Sequence, residues 1–368
     1  MTEYTGTWRH VACAGDNKSV KTLHLTVDPT LLETPAAIAA LDRAAQILRG
    51  GGLVALPTET VYGLGANALD CEAVGRIFEA KQRPAWDPII VHIAKTEMLG
   101  KLVTDASETA RRLMKAFWPG PLTLLLPRSA AVPDAVTAGR PLVGVRMPSH
   151  PVALELIRRA GIPIAAPSAN RFAHISPTTA AHVLHDLNGR IDAVLDAGPT
   201  VRGVESTVLD PSTSPMTIYR PGAVTEEQIR LVAGAVKLFK EVDNAGGEPS
   251  EALPSPGVGI RHYAPRARLV LIGAPHKQLG ARLAEGARSR PDEVLGVMLP
   301  EGIATPPGVD AARVFAWGRW DAPEELARRL YAGLRALDAS GCTVILCPLP
   351  SADGIGAAIR DRLQKAAR

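Results

Sequence analysis

The chain has 368 residues, 46% hydrophobic and 21% charged, with 41 basic and 37 acidic side chains for a net charge of +4. That balance suits anionic ligands but is too even to argue for nucleic acid by charge alone. At about 100–200 residues per domain, the length suits two globular domains, each with its own core. Aromatics are only 4%, so those cores must be built mainly from Leu, Val, Ile and Ala. The four cysteines, Cys13, Cys71, Cys342 and Cys347, form no C-x-x-C pair, which suits reduced thiols better than a zinc site or a disulfide framework. No apolar run approaches the roughly 20 residues that span a bilayer. MTEYTGTWRH at the start lacks the basic-then-apolar pattern of a secretion signal. A cytoplasmic protein without a membrane partner is expected.

In chain order, residues 1–30 are polar and mixed and read as an extension. Ile38, Leu41, Ala44, Ala45 and Leu48 recur at helical spacing from about Pro35, and Gly50-Gly51-Gly52 ends that helix. A short buried strand follows at Leu53–Leu56, then the loop PTETVYGLGANA. Asp70 caps a helix from Cys71 to about Gln82, closed by Pro84. Strands are predicted at 88–93, 122–126, 142–146, 162–166, 193–195, 206–209 and 216–220, with helices over about 107–117, 151–159 and 179–187. Many short strands among helices point to a mixed rather than a purely parallel sheet. Residues 232–265 include the Gly/Pro/Ser-rich AGGEPSEALPSPGVG, a linker or ordered loop. Beyond it, strands at 267–272, 293–298, 314–316 and 343–346 alternate with helices at 278–287, 323–337 and 355–367, a smaller α/β domain over 266–368.

Neither G-x-x-x-x-G-K-[ST] nor G-x-G-x-x-G is present, so phosphate binding must use other groups. The glycines of the opening loop are read as a tight turn at a pocket floor, with Tyr62 as a wall. Lys81 and Arg83 end a helix in KQRP, where the dipole alone explains basic residues. Arg146 and Arg220, however, each follow an apolar strand, the edge where α/β ligand crevices form. With Arg83 they suggest an anion cradle of guanidinium forks. PSAN (167–170) offers small polar groups after another strand, and His92 lies at a strand end beside them. Ser176 and Thr178 read first as part of a helix cap. His182 and His185 share a helix face, but no third metal ligand is evident and no metal site is assigned.

PTETVYGLGANA, KQRPAWDPIIVHI, WPGPLTLLL, VGVRMPSHP, APSANRFAHISPTTAAHV, ESTVLD, IYRPGAV and SPGVGIRHYAPRA occur in one order. Together they resemble the YrdC-like family in its long two-domain form, the threonylcarbamoyl-AMP synthases. The resemblance is strong over about 35–230 and extends through the linker. It implies a twisted mixed sheet with a concave basic pocket over 31–231, a linker or flap over 232–265, and a Rossmann-like domain after it. It also implies a nucleotidyltransferase that joins L-threonine, bicarbonate and ATP into L-threonylcarbamoyladenylate, releasing pyrophosphate. The product goes to a separate tRNA threonylcarbamoyl-transferase complex that modifies position 37.

By that resemblance, Thr60, His92, Arg146, Ser168 and Ser206 hold L-threonine, with Arg146 on the carboxylate. ATP falls to Lys81, Arg83, Asn170, Ser176, Thr178, Arg220 and Tyr263, with Lys81 and Arg83 offsetting charge as pyrophosphate leaves. Mg²⁺ comes with ATP, held by its phosphates. Two positions depart from the family. Asp87 replaces a common Asn and would repel phosphate unless it pairs with Lys81 or Arg83 or meets Mg²⁺, and Leu142 replaces a small hydroxyl residue, leaving a backbone contact to ATP. Tyr263, with Arg261 and His262, would tip a flap that shields the adenylate. The alternatives are a double-stranded RNA or tRNA binder without turnover, disfavoured by the modest charge and few aromatics, and a carbamoyl-transfer module, disfavoured by the missing cysteine arrays.

Overall fold

The computed structural model describes residues 21–239, 253, 255–258 and 262–368. Most of the expected extension and much of the linker, Arg261 included, lie outside the described residues. The first unit runs through β1 (Leu23–Thr26), α1 (Pro35–Arg49), β2 (Val54–Leu56), β3 (Gly63–Asn67), α2 (Cys71–Lys81), β4 (Val91–His92), α3 (Glu108–Phe117), β5 (Leu122–Pro127) and α4 (Asp134–Thr137). It continues through β6 (Leu142–Arg146), α5 (Pro151–Ala160), β7 (Ile164–Ala165), α6 (Ala180–Leu187), β8 (Ala193–Asp196), β9 (Thr207–Asp210), β10 (Met216–Arg220), α7 (Glu226–Ala233) and β11 (Val236–Leu238). Its strands form one eleven-stranded sheet in the order β1-β8-β2-β3-β7-β4-β6-β5-β9-β10-β11. Parallel pairs such as β4–β6 sit beside antiparallel ones such as β5–β6, so the sheet is mixed, as expected.

The second unit is β12 (Arg268–Ile272), α8 (His276–Arg288), β13 (Leu295–Pro300), β14 (Val314–Gly318), α9 (Pro323–Ala339), β15 (Val344–Pro348) and α10 (Gly356–Ala366). Its strands pair in parallel in the order β12-β15-β13-β14. Every residue of β13 and β15 is buried, the run-like apolar pattern of parallel strands covered on both faces.

Local chemistry explains the elements around the site. In α1 the Thr34 hydroxyl caps the Ala37 amide, Pro35 starts the helix, and Ala37, Leu41, Ala44, Ala45 and Leu48 form its buried stripe. Each leucine there contributes about 2 kcal/mol by leaving water. In α2 the Asp70 carboxylate accepts from the amides of Glu72 and Ala73, and the helix stops at Gln82, which is left-handed at φ 55°. Its buried stripe is Ala73, Val74, Ile77, Ala80 and Lys81, so helical periodicity carries a lysine inward.

Several expectations are corrected. The strand expected over 88–93 is paired only at Val91–His92. Pro88 has no N–H to give a ladder, and the carbonyls of Asp87 and Pro88 are taken by Arg83. The strand expected over 162–166 narrows to Ile164–Ala165. β1 lies inside the expected extension and pairs with β8, and β11 lies inside the expected linker and pairs with β10. The expected glycine turn in PTETVYGLGANA is instead β3. A Cβ on Gly65 would lie 2.8 Å from Leu56 Cδ2 and 2.9 Å from Ile164 Cγ2, so glycine serves close strand packing. Tyr62 is no pocket wall: it is fully buried, donating to the Gly198 carbonyl at 2.7 Å.

Candidate active site

The loop after β2 and the C-terminal ends of β4 and β6 meet at one cavity. Register pairs His92 with Arg146 across β4 and β6, which puts an imidazole and a guanidinium side by side at the sheet edge. Arg146 donates to the Thr60 hydroxyl at 3.0 Å and to the Gly120 carbonyl at 3.2 Å. Its Nη2 lies 2.6 Å from the Glu59 carboxylate, although the pair is not aligned as a hydrogen bond. Thr60 in turn shares a 2.8 Å contact with Thr58, whose hydroxyl donates to the Val61 carbonyl. Burial, reinforced by Arg146, lowers the His92 pKa to about 3, so the ring is neutral and can donate or accept.

Arg220, at the end of β10, sends Nε and Nη2 to the Ser206 carbonyl at 3.1 and 3.0 Å, and Nη2 also to the Ser206 hydroxyl at 3.1 Å. Ser206 is 2.8 Å from the Thr123 hydroxyl. Gly222 makes this corner possible, because a Cβ there would lie 2.4 Å from the Ser206 carbonyl carbon and 2.3 Å from the Thr207 amide. Ser206 itself stands just before β9 rather than within it.

Arg83 and Asp87 are both buried and paired at 2.9 Å. Burial raises the Asp87 pKa, and Arg83 opposes that. Of the partners left open for Asp87, the structure therefore selects Arg83. Lys81 donates Nζ to the carbonyls of Ser168 and Asn170, each at 2.5 Å. Burial drives its pKa well below the usual ammonium range, and Arg83 acts in the same direction. It fastens the PSAN turn from behind instead of capping a solvated helix end.

Thr60, Arg83, His92, Arg146, Ser168, Ser206, Arg220 and Tyr263 thus line one cavity. Lys81, Asp87, Asn170, Ser176 and Thr178 are buried behind that wall. Asn170 donates to the carbonyls of Arg171 and His174. Ser176 donates to Glu205, and Thr178 meets His182. Leu142 stands apart, four residues from Arg146 at the other end of β6, in a small cleft with Thr137 and Pro256. The linker closes the cavity with Pro256, Gly257, His262 and Tyr263. The space left in it is about 50 Å³, enough for a few waters.

Sequence reasoning missed two buried acids, Glu205 in the cavity wall and Glu59 behind it, paired with Arg146. Glu59 stands between Thr58 and Thr60, which both line the cavity, and Glu205 directly precedes Ser206. Their signal was an acid beside hydroxyl residues at the mouth of an apolar strand. Among the described residues no cluster of three or more His, Cys, Asp and Glu side chains could hold a metal ion. No helix among them is long and apolar enough to cross a membrane.

Arg83, Arg146 and Arg220, all buried, line a cavity at the strand ends of a mixed α/β sheet, the place where α/β folds carry ligand crevices. Residues 46–222 match the Sua5, YciO and YrdC family model, described as "Telomere recombination", and 224–368 match the model "Threonylcarbamoyl-AMP synthase, C-terminal domain". Threonylcarbamoyl-AMP synthases from Pyrococcus abyssi and Bacillus subtilis are each 45% identical, covering 88% of this chain and 92% of theirs. The crystal structure of P. abyssi Sua5 complexed with L-threonine superposes with a TM-score of 0.85 at 42% identity, covering 94% of this chain and 98% of that one. The chain belongs to the Sua5/YrdC family, in the two-domain form of the threonylcarbamoyl-AMP synthases.

Proposed function

We propose that this chain condenses L-threonine, bicarbonate and ATP into L-threonylcarbamoyladenylate, with release of pyrophosphate and water. The observation that carries the reading is the convergence of Arg83, Arg146 and Arg220 on one cavity that also holds neutral His92 and the hydroxyls of Thr60, Ser168 and Ser206. L-threonine sits at the Thr60, His92, Arg146 end. The Arg146 guanidinium, already paired with Glu59 through Nη2, takes the substrate carboxylate. His92, being neutral, accepts from the amine or hydroxyl without repelling the amine. The P. abyssi relative crystallised with L-threonine supports L-threonine as the substrate.

The triphosphate lies against Arg83 and Arg220. Lys81 acts one layer back, holding Ser168 and Asn170 so that PSAN faces the nucleotide, and Ser176, Thr178 and Asp87 support the same wall. The amine of L-threonine is carboxylated, and the carbamate oxygen displaces pyrophosphate at the α-phosphorus. No protein nucleophile is required, so catalysis comes from positioning and from guanidinium charge facing the departing phosphates. Glu59 and Asp87 are each engaged by an arginine. Mg²⁺ is therefore assigned to the phosphates of ATP rather than to a carboxylate cage. His262 and Tyr263 close behind the substrates and exclude water from the adenylate. The reaction takes place in the cytoplasm, and a separate tRNA-modifying complex consumes the product.

The test is pyrophosphate release by the purified chain with ATP, L-threonine and bicarbonate. Release should require all three. Release indifferent to threonine and bicarbonate refutes the reading. Salt-sensitive RNA retention without turnover would favour an RNA-binding role.

A further inference from the structure

We infer that Arg362, from the last helix of the C-terminal domain, is a positioning residue that holds three separate segments of the cavity wall in register and ties linker closure to domain docking. It rests on the synthase reading only for which reaction is affected. Arg362 is 1% exposed. Its Nε donates to Glu205 Oε2 at 2.7 Å and its Nη2 donates to the Pro221 carbonyl at 3.0 Å. Its guanidinium carbon lies 5.2 Å over the Tyr263 ring, within cation–π range. Asp361 pairs with its remaining nitrogen.

Each contact falls on a residue of the site or on its immediate neighbour. Glu205 precedes Ser206, Pro221 follows Arg220, and Tyr263 belongs to the linker wall. One planar fork therefore ties Tyr263 of the linker to the segments around Glu205 and Pro221, which β9–β10 pairing and the Arg220–Ser206 hydrogen bonds already join to each other. A fork can do this where a point charge cannot.

Glu205 is fully committed. Oε1 accepts from Ser176 at 2.6 Å, and Oε2 accepts from the Tyr331 hydroxyl at 2.8 Å as well as from Arg362. Burial works to raise its pKa, but Arg362 and Arg220 outweigh it and the carboxyl stays ionised. With both oxygens occupied it is an anchor point, not a base. Tyr331 also stacks on Tyr263 at 5.8 Å. On the far side the contacts continue through His262 and Phe172 to Trp86, beside the KQRP segment. The His262 amide donates to the Lys365 carbonyl at 3.3 Å, and the Ala264 amide to that of Ala173 at 2.9 Å. Residues 262–264 of the linker are thus clasped by both domains, with Arg362 at the junction.

The test uses the full chain with Arg362→Gln, Arg362→Lys and Tyr331→Phe, and Arg282→Gln on the exposed face of α8 as control. Hydrogen exchange is read at the amides of 262–264 and at β2, beside steady-state kinetics. In Arg362→Gln, exchange at 262–264 should rise about tenfold or more while β2 is unchanged. kcat/KM for ATP should fall about 100-fold, with KM for L-threonine moving little because Thr60, His92 and Arg146 are untouched. Arg362→Lys restores charge without the fork and should recover only part of both effects. Tyr331→Phe, which removes one hydroxyl, should give a milder version confined to the same amides. Unchanged exchange at 262–264, or equal loosening of β2, overturns the inference. Failure of the wild-type chain to release pyrophosphate would instead overturn the synthase reading, and the exchange data would still decide whether Arg362 clasps the linker.

Discussion

Arg146 is assigned two tasks, gripping the substrate carboxylate and neutralising Glu59, and a mutant cycle separates them. Arg146→Met leaves the Glu59 carboxylate buried without its cation at 2.6 Å. Breaking a buried ion pair from one side costs about 3–5 kcal/mol. In a domain of this size that lowers the melting temperature by roughly 6–20 °C, at about 2–4 °C per kcal/mol. Loss of one charge-assisted hydrogen bond to threonine is worth about 1.5–3 kcal/mol, or about 10–150-fold in affinity. Adding Glu59→Gln removes the stranded charge, so the double variant should regain most of the melting temperature. It should regain none of the threonine affinity. Thermal unfolding and calorimetric titration with L-threonine read the two quantities independently. Normal threonine affinity in Arg146→Met would refute the carboxylate assignment. A double variant no more stable than the single would refute the dependence of Glu59 on Arg146.

Arg83→Ala is expected to cut turnover by orders of magnitude, but not with the fold left intact: it strands Asp87, costing about 3–5 kcal/mol. Arg83→Ala with Asp87→Asn should recover the melting temperature and not the pyrophosphate release. His92, His150, His174, His182 and His262 are all held below the usual imidazole range, chiefly by burial, and set an acid limit. His92 and His182 are lowered from 6.5 to about 3 and about 4, chiefly by burial, so below pH 6.5 the unfolded chain takes up protons that the folded one refuses. Stability is therefore full above that pH and falls as pH drops through the window down to the folded values, by up to about 1.4 kcal/mol per pH unit per histidine. Melting curves between pH 7 and pH 5 should show the slope, and His92→Asn should reduce it by one histidine's share; an unchanged slope would remove His92 as a contributor. Gly65→Ala drives a methyl against Leu56 and Ile164 and should destabilise by about 1–3 kcal/mol. A neutral result by chemical denaturation would show that β2 and β3 can separate without cost.

Much of the site was legible because strand ends carry ligands and strands can be read from apolar runs. Arg146, His92 and Arg220 were placed by that rule alone. Lys81 was legible in principle, since Val74, Ile77 and Lys81 share one helical stripe; reading it as a solvated dipole partner ignored that spacing. β3 was not legible, because Gly-Leu-Gly-Ala-Asn has the composition of a turn and only the proximity of Leu56 and Ile164 makes small residues an advantage there. β1 and β11 form edges of the sheet whose burial is partial or absent, so their apolar alternation is too weak to stand out.

What a single sequence could not disclose is which charge neutralises which. Arg83 meets Asp87 four residues away, but Arg146 meets Glu59 across the sheet and Glu205 meets Arg362 across the domain boundary. These pairings decide the field inside the cavity more than the count of basic residues does. Two of the three cavity arginines already face a carboxylate. Arg220 is held only by the Ser206 carbonyl and hydroxyl, and among the described residues no carboxylate pairs with it. Its charge still acts through space on Glu205 and Asp87, without an ion pair at contact distance. Arg220 is thus the cavity arginine whose direct partners are a carbonyl and a hydroxyl rather than a carboxylate, at the corner that Gly222 keeps open and that Arg362 steadies through Pro221.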